Sequence, residues 1–451
     1  MDRGTKLLLT GTLRALHAAN ARKPLAETGP GSVLAFVNGL PASELPRQHM
    51  AAHAAAALWA VGRGGHRGAA GKLGLALTAG SIATLWRVHQ QSTDAERIVE
   101  RALRDQLGDD YRSRMAESPV EATTTKLPTL PTRAVRRRYV EQGHIPYSDE
   151  GGKRTTLDVW RRPDLPRDAN APVLVQVHGG AWILGDKEGQ AYPLMVHMAE
   201  RGWVCVSVTY RLSPRATWPD HIVDVKRALA WVKENIADHG GDPGWVALTG
   251  GSAGGHLCAL AALTPDEAQF QPGFEQADTS VQAAVPFYGV YDWTNRDGTG
   301  RADLLPLLAE RVVKRPMEEA KDVYEQASPM THVSADAPPM MLLHGTNDSL
   351  VPVAQARAMV DMLRATSRQP VVYVEYPGAQ HAFDVFAGNR TNAAVAGVER
   401  FLNVIRGEQG QHVDRVRAAA TSVPSPNGSA RRMSTARPSA GQRADPEAEA
   451  E

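Results

Sequence analysis

Apolar and polar positions alternate along this chain in two different rhythms, and the change between them divides it. Up to about residue 115 the apolar residues recur at helical spacing, as in Lys6–Ala19 with Leu9, Leu13 and Leu16. Further apolar stretches cover 33–37, 51–61 and 73–86. The last of these is uncharged between Lys72 and Arg87. As a helix it would be only about 21 Å long, short of a hydrocarbon core of about 30 Å. A spanning anchor is therefore not expected. What remains is an interfacial helix, or helices packed as a lid over the following domain. Thr93-Asp94-Ala95-Glu96 has the form of a capping box opening a helix to about Leu107. Residues 117–134 read as a linker, punctuated by Pro119, Pro128 and Pro131.

Beyond the linker, strand-like runs alternate with helical ones. The expected strands are 135–141, 155–160, 173–177, 204–209, 245–248, 281–287, 340–343 and 371–376, with helices such as 220–238 and 353–366 between the later ones. A final helix is expected over 393–405. Two early strands with no helix between them, followed by regular alternation, predict an α/β fold with a mostly parallel eight-stranded sheet. Several of these strands are solidly apolar, as strands covered on both faces are. After Gly407 the chain is polar and rich in Pro, Ser, Ala and Arg, a composition expected to be disordered. The division is then a helical N-terminal region (1–116), a linker (117–134), a catalytic domain (135–406) and a tail (407–451).

Composition removes several function classes. The 451 residues carry a formal charge of +1, with no basic stripe suited to nucleic acid. Arg136-Arg137-Arg138 is short and is followed by Glu141, so it reads as a solvated strand or linker face. Two cysteines, Cys205 and Cys258, are too few for a disulfide framework and lie in apolar segments, as buried free thiols do. No metal-ligand cluster stands out by spacing. There is no clear secretory h-region or cleavage site. The expected location is cytoplasmic, with peripheral membrane association through the N-terminal region left open.

The candidate chemistry centres on Val246–Leu257, a short apolar strand, a glycine-rich turn and a helix start. It contains Gly250-Gly251-Ser252-Ala253-Gly254, a G-x-S-x-G match. Such a turn holds the serine hydroxyl above the strand ends at a helix N-terminus. A serine needs a base, an acid that orients the base, and donors for the oxyanion. The donors are read at His178-Gly179-Gly180-Ala181-Trp182, directly after the third strand. The N–H groups of Gly179, Gly180 and Ala253 are the expected hole, with His178 fixing the loop. The acid is read as Asp348, in the turn after the seventh strand, with Asp292 in reserve. The base is read as His381, in the loop after the last strand, with His256 and His344 as rivals. The order Ser252, Asp348, His381 is that of the α/β-hydrolase triad.

On these motifs, together with Gly240-Gly241-Asp242-Pro243 before the elbow strand, residues 135–406 resemble the α/β-hydrolase fold. They are most similar to bacterial carboxylesterases and lipases akin to the hormone-sensitive-lipase group. Residues 38–46, with the apolar stretches around them, resemble the N-terminal region of certain actinobacterial esterases. The chain departs from the group's pattern at Ala181, where a third glycine is usual. The Ala-Trp form also occurs in kynurenine-formamidase-like hydrolases. The resemblance implies a cofactor-free serine hydrolase that cleaves a small-molecule carboxylic ester through an acyl-enzyme. An amidase or arylformamidase on the same triad, a non-catalytic binding protein of this fold, and a membrane-associated assembly protein are the alternatives. It also implies a lid from the insertion after the sixth strand, 294–324, with Tyr288 and Trp293 helping to shape the site. Trp182, after the oxyanion loop, is expected on the same wall, and with the Ala181 methyl these features point to a confined pocket for short to medium acyl chains.

Overall fold

The sheet domain takes its shape from strands that are apolar on both faces. The structure, a computed structural model, describes residues 1–121, 127, 132–265 and 267–421, with side chains through 411. Its strands are β1 (Val140–Pro146), β2 (Thr156–Trp160), β3 (Ala171–Val177), β4 (Val204–Val208), β5 (Gly241–Gly251), β6 (Ala283–Phe287), β7 (Met340–Gly345) and β8 (Val371–Tyr376). They form one eight-stranded sheet in the order β1-β2-β4-β3-β5-β6-β7-β8. β1 with β2 and β2 with β4 are antiparallel, and every later pairing is parallel. β2, β3, β4, β6 and β7 are buried along their whole length, while edge strand β1 is largely exposed.

The helices, in chain order, are α1 (Arg3–Arg22), α2 (Gly29–Glu44), α3 (Pro46–Gly62), α4 (Gly68–Thr93), α5 (Ala95–Leu107), α6 (Arg133–Tyr139), α7 (Tyr192–Glu200), α8 (Asp220–Asn235), α9 (Ala253–Leu263), α10 (Leu304–Leu307), α11 (Lys321–Gln326), α12 (Val353–Thr366) and α13 (Asn389–Thr421). One core, with Val225, Leu257 and Met359, lies under α8, α9 and α12. The other, with Val99, Met195 and Phe401, lies under α5, α7 and α13. Burial of these side chains is the main favourable term holding the layers together.

The N-terminal helices belong to the same compact unit as the sheet, Met1–Glu408. α1 and α4 pack closely because glycines face each other: a Cβ on Gly11 would stand 2.4 Å from the carbonyl oxygen of Gly74. α2 is tied to the sheet domain at both ends. At its start the Gly29 N–H donates to Asp303, 2.8 Å away. At its end Glu44 pairs with Arg390 at 3.0 Å, both side chains 1% exposed. Arg390 also donates to the carbonyls of Ser43 and Pro377.

Four local expectations are corrected. Residues 133–139 form helix α6, opened by the Thr132 hydroxyl accepting from the Val135 N–H, so the first strand begins only at Val140. Arg136 consequently turns inward to Asp158, at 2.7 Å, and is not a solvated face. The capping box at Thr93 does not form, because α4 runs through Thr93 and its hydroxyl donates back to the Gln90 carbonyl. The closing helix is also longer than 393–405, running from Asn389 to Thr421. The rest of the tail, like most of the linker's residues 122–131, lies outside the described residues.

Burial pushes the Glu44 carboxyl upward and Arg390 pulls it back. Removing the guanidinium with Arg390→Leu leaves an unpaired buried carboxylate and should cost about 3–5 kcal/mol in urea denaturation. Because the folded state of that variant takes up a proton on Glu44, its deficit should shrink as the pH is lowered. Adding Glu44→Leu should recover most of the loss.

Candidate active site

β5 ends in a turn too tight for side chains on its flanks. A Cβ on Gly250 would lie 2.4 Å from the Gly254 carbonyl oxygen, and one on Gly254 2.1 Å from that of Val177. Ser252 itself stands at φ +58°, ψ −122°, a backbone region that non-glycine residues rarely adopt. The strain is held by neighbours: its N–H donates to Phe287 on β6 at 3.0 Å, and its carbonyl accepts from His256 in α9 at 2.9 Å. The serine thus caps α9 at the C-terminal edge of the parallel strands.

The next loops along the same edge bring the acid and the base. After β7, the side chain of Asp348 is fully buried. One carboxylate oxygen accepts from the N–H groups of Leu350 and Val351, at 2.8 and 2.7 Å. The other meets Nδ1 of His381, from the loop after β8, at 2.7 Å. Burial opposes ionisation of Asp348, but the attraction of His381 and the hydrogen bonds from His344 and His381 outweigh it, holding the carboxyl well below the usual carboxylate range. With Nδ1 engaged by Asp348, the ring is fixed in orientation and Nε2 is its second nitrogen. Tyr288 links the two loops. A Cβ on Gly251 would meet its hydroxyl at 2.7 Å, and its ring lies 4.6 Å from that of His381.

The loop after β3 runs alongside. Gly179 is so close to the elbow that a Cβ there would stand 3.1 Å from Cβ of Ser252. Its N–H is already donated to Gln190 Oε1 at 2.8 Å. Among the described residues no acceptor engages the N–H groups of Gly180 or Ala253. These two are the donors free to receive an oxyanion, while Gly179 supports the loop. Ala181 and Trp182 follow at φ +51° and +61°.

The rival residues are occupied. Asp292 accepts from the N–H groups of Thr294 and Arg296, at 3.0 and 2.7 Å, and so holds the turn after β6. His178 stacks on Tyr210 at 4.3 Å, and burial pushes it down to about 4. His256 contacts the Ala327 carbonyl at 2.7 Å and accepts from the Trp182 indole at 3.2 Å. His344 sits 2.9 Å from the Val351 carbonyl, behind Asp348.

Trp182 and Trp293, expected on the acyl wall, are each 1% exposed and pack on one another at 4.8 Å within the core. They support the loops from behind. Of the expected pocket aromatics, only Tyr288 reaches the triad. Sequence reading also missed three contributors. Gln190 holds the Gly179 amide. Gln380 accepts from the N–H groups of Ser349 and His381, at 2.9 and 2.8 Å. Phe36 of α2 sets its ring 5.8 Å from that of His381. The insertion 294–324 contains α10, but it is Phe36 of α2 that contacts the histidine, so the N-terminal helices contribute to the covering.

An elbow serine, a carboxylate-bound histidine and a glycine loop on one edge of this sheet define an α/β-hydrolase. The chain belongs to the carboxylic ester hydrolases of that fold. It is 47% identical over 423 residues to a probable carboxylic ester hydrolase, LipM, of Mycobacterium tuberculosis, covering 92% of this chain and 96% of that one. Esterase LipQ of the same organism is 46% identical over 338 residues, 73% of this chain and 78% of its own. The family model BD-FAE matches residues 157–363. A truncated carbohydrate esterase from gut microbiota shares the fold, with a TM-score of 0.52 at 21% identity over 60% of this chain and 99% of that one. The protein is an ester hydrolase.

Exchanging the two aspartates separates their parts. Asp348→Asn should lower kcat by up to about 10⁴-fold through the wrong imidazole tautomer, as in serine proteases. Asp292→Asn should leave kcat within a few-fold of wild type. Steady-state kinetics showing the reverse order would move the acid to Asp292.

Proposed function

We propose that Ser252, His381 and Asp348 cleave esters of short to medium acyl chains through an acyl-enzyme. The observation that supports this most directly is the 2.7 Å contact between His381 Nδ1 and Asp348 beside the strained elbow. Ser252 Oγ attacks the ester carbonyl as His381 Nε2 takes its proton. The oxyanion receives the N–H groups of Gly180 and Ala253 at the start of α9. Collapse expels the alcohol, protonated by the same imidazole. Water then attacks the acyl-enzyme along the same route in reverse. Asp348 holds the imidazole in one tautomer and stabilises its charge throughout. No cofactor enters these steps.

The restriction to shorter chains rests on crowding. Phe36 and Tyr288 flank His381, and Ala181 carries a methyl where a third glycine is usual in the group. One methylene in an apolar pocket changes selectivity by about 1–3 kcal/mol. A fluorophosphonate probe should label wild type at Ser252 and fail on Ser252→Ala. Across a series of p-nitrophenyl esters, kcat/KM should peak at short to medium chains and fall for emulsified long-chain triglycerides. Equal rates on both would end the confined-pocket reading.

Peripheral binding of a membrane surface is a further part of this reading. No helix among the described residues is long and apolar enough to cross a bilayer. Yet exposed large apolar side chains concentrate in α1–α4, among them Leu13, Leu16, Leu34, Trp59 and Trp86. Residues 1–90 also carry ten Lys and Arg against three Asp and Glu. An apolar, cationic face suits an anionic lipid surface, and the protein is read as a cytoplasmic one that visits it. The full chain should sediment with phosphatidylglycerol vesicles and much less with phosphatidylcholine vesicles. Protein left in the supernatant with both would refute the association.

A further inference from the structure

Three histidines outside the triad meet between α1 and α3. One ligand atom from each of His17, His49 and His53 lies within 4.8 Å of the others. His49 and His53 are one helical turn apart on α3, the spacing that lets two imidazoles reach one ion. His17 comes from α1, its ring 5.0 Å from that of His49. Nitrogens sharing a tetrahedral zinc at about 2.0 Å each stand about 3.3 Å apart, so modest ring rotations close the site.

The surrounding hydrogen bonds fix which nitrogens carry lone pairs. His17 Nε2 lies 3.0 Å from the Asn38 carbonyl, which can only accept, so Nε2 holds the proton and Nδ1 is free to ligate. His53 Nδ1 lies 3.0 Å from Ser81 Oγ, whose own proton goes to the Thr78 carbonyl at 2.7 Å. His53 Nδ1 is therefore the donor, and Nε2 is free. Among the described residues no side-chain hydrogen bond engages the His49 ring. Ligating histidines characteristically donate their second N–H to a carbonyl or hydroxyl in this way, fixing tautomer and ring orientation. Arg14, a cation beside His53, donates to the Thr78 hydroxyl at 3.3 Å.

We propose that His17, His49 and His53 bind a divalent transition-metal ion of imidazole preference, Zn²⁺ by its chemistry. A solvent molecule would complete the coordination on the half-exposed side of His17 and His49. The ion joins α1 to α3. Through the Asn38 carbonyl it also braces α2, two residues beyond Phe36 at the catalytic histidine. Its role is structural: it stiffens the helices over the site and takes no part in the hydrolysis.

The test uses the full chain, stripped by a chelator and titrated with ZnCl₂ against a chromogenic competitor. Wild type should bind one equivalent and melt at a higher temperature with zinc than without. His17→Ala and His49→Ala should each weaken binding by at least ~10-fold, and Ser81→Ala, which frees the His53 ring, by ~10-fold. Far-UV circular dichroism of the metal-free variants checks that they fold. Independently of any variant, Co²⁺ added to wild type should give the visible absorption bands of a low-coordinate, nitrogen-bound ion. Failure of wild type to bind one equivalent overturns the proposal, as does binding undiminished in folded His17→Ala and His49→Ala, or a Co²⁺ spectrum of the hydrated ion.

Discussion

Everything catalytic in this protein depends on a steric constraint where β3, β5 and β6 crowd together at their C-terminal ends. Backbone contacts there leave no room for a Cβ on Gly250 or Gly254, and Ser252 is forced into a positive-φ conformation between them. A relaxed turn would lay the serine along the surface. The tight one lifts it to the helix end and leaves the Ala253 N–H unspent. The cost of the strained residue, of order 1–3 kcal/mol, is offset by the sheet, whose fully buried strands over-determine the geometry. A conformation unfavourable for one residue is thus maintained by the packing of dozens.

The second requirement is electrostatic. Asp348 is removed from water yet kept ionised by two backbone N–H groups and two histidines. That arrangement places a permanent negative charge behind His381. On the proposed route it would steady the charge that arises on the ring when the serine gives up its proton, without the need to reorganise solvent. His344 is part of it: although a rival for the base by sequence, it acts from the far side of the carboxylate.

Much of this was legible in the residues because it is local. The parallel strands are continuous apolar runs, and their ends fall within a few residues of expectation, apart from the early start of β5. The elbow, the glycine loop and the chain order of Ser252, Asp348 and His381 are all short-range signals. What escaped depends on contacts between distant segments. Nothing near Trp182 or Trp293 in sequence says that they pack on each other beneath the loops. Gln190 reads as an ordinary polar residue until the fold sets it against the Gly179 amide. The start of β1 was misplaced because Thr132 can cap a helix as readily as precede a strand. The histidine triplet was invisible to spacing rules since His17 and His49 are on different helices.

The buried pair of Glu44 and Arg390 also sets an order of events during synthesis. Its members are 346 residues apart, so the helices above the active site emerge from the ribosome long before their partner exists. At 5–20 residues per second the wait is roughly 20–70 s. Throughout it, Glu44 lacks the guanidinium against which it is finally buried, and the sheet below α2 is completed only near the end, at β8. The part of the chain made first can therefore reach its final place only when the part made near the end has been folded, and α13 acts as the clasp. Such long-range closure is slow by nature and leaves apolar surface unprotected meanwhile. The nascent chain has to be kept from aggregating at its N-terminus for most of its own translation.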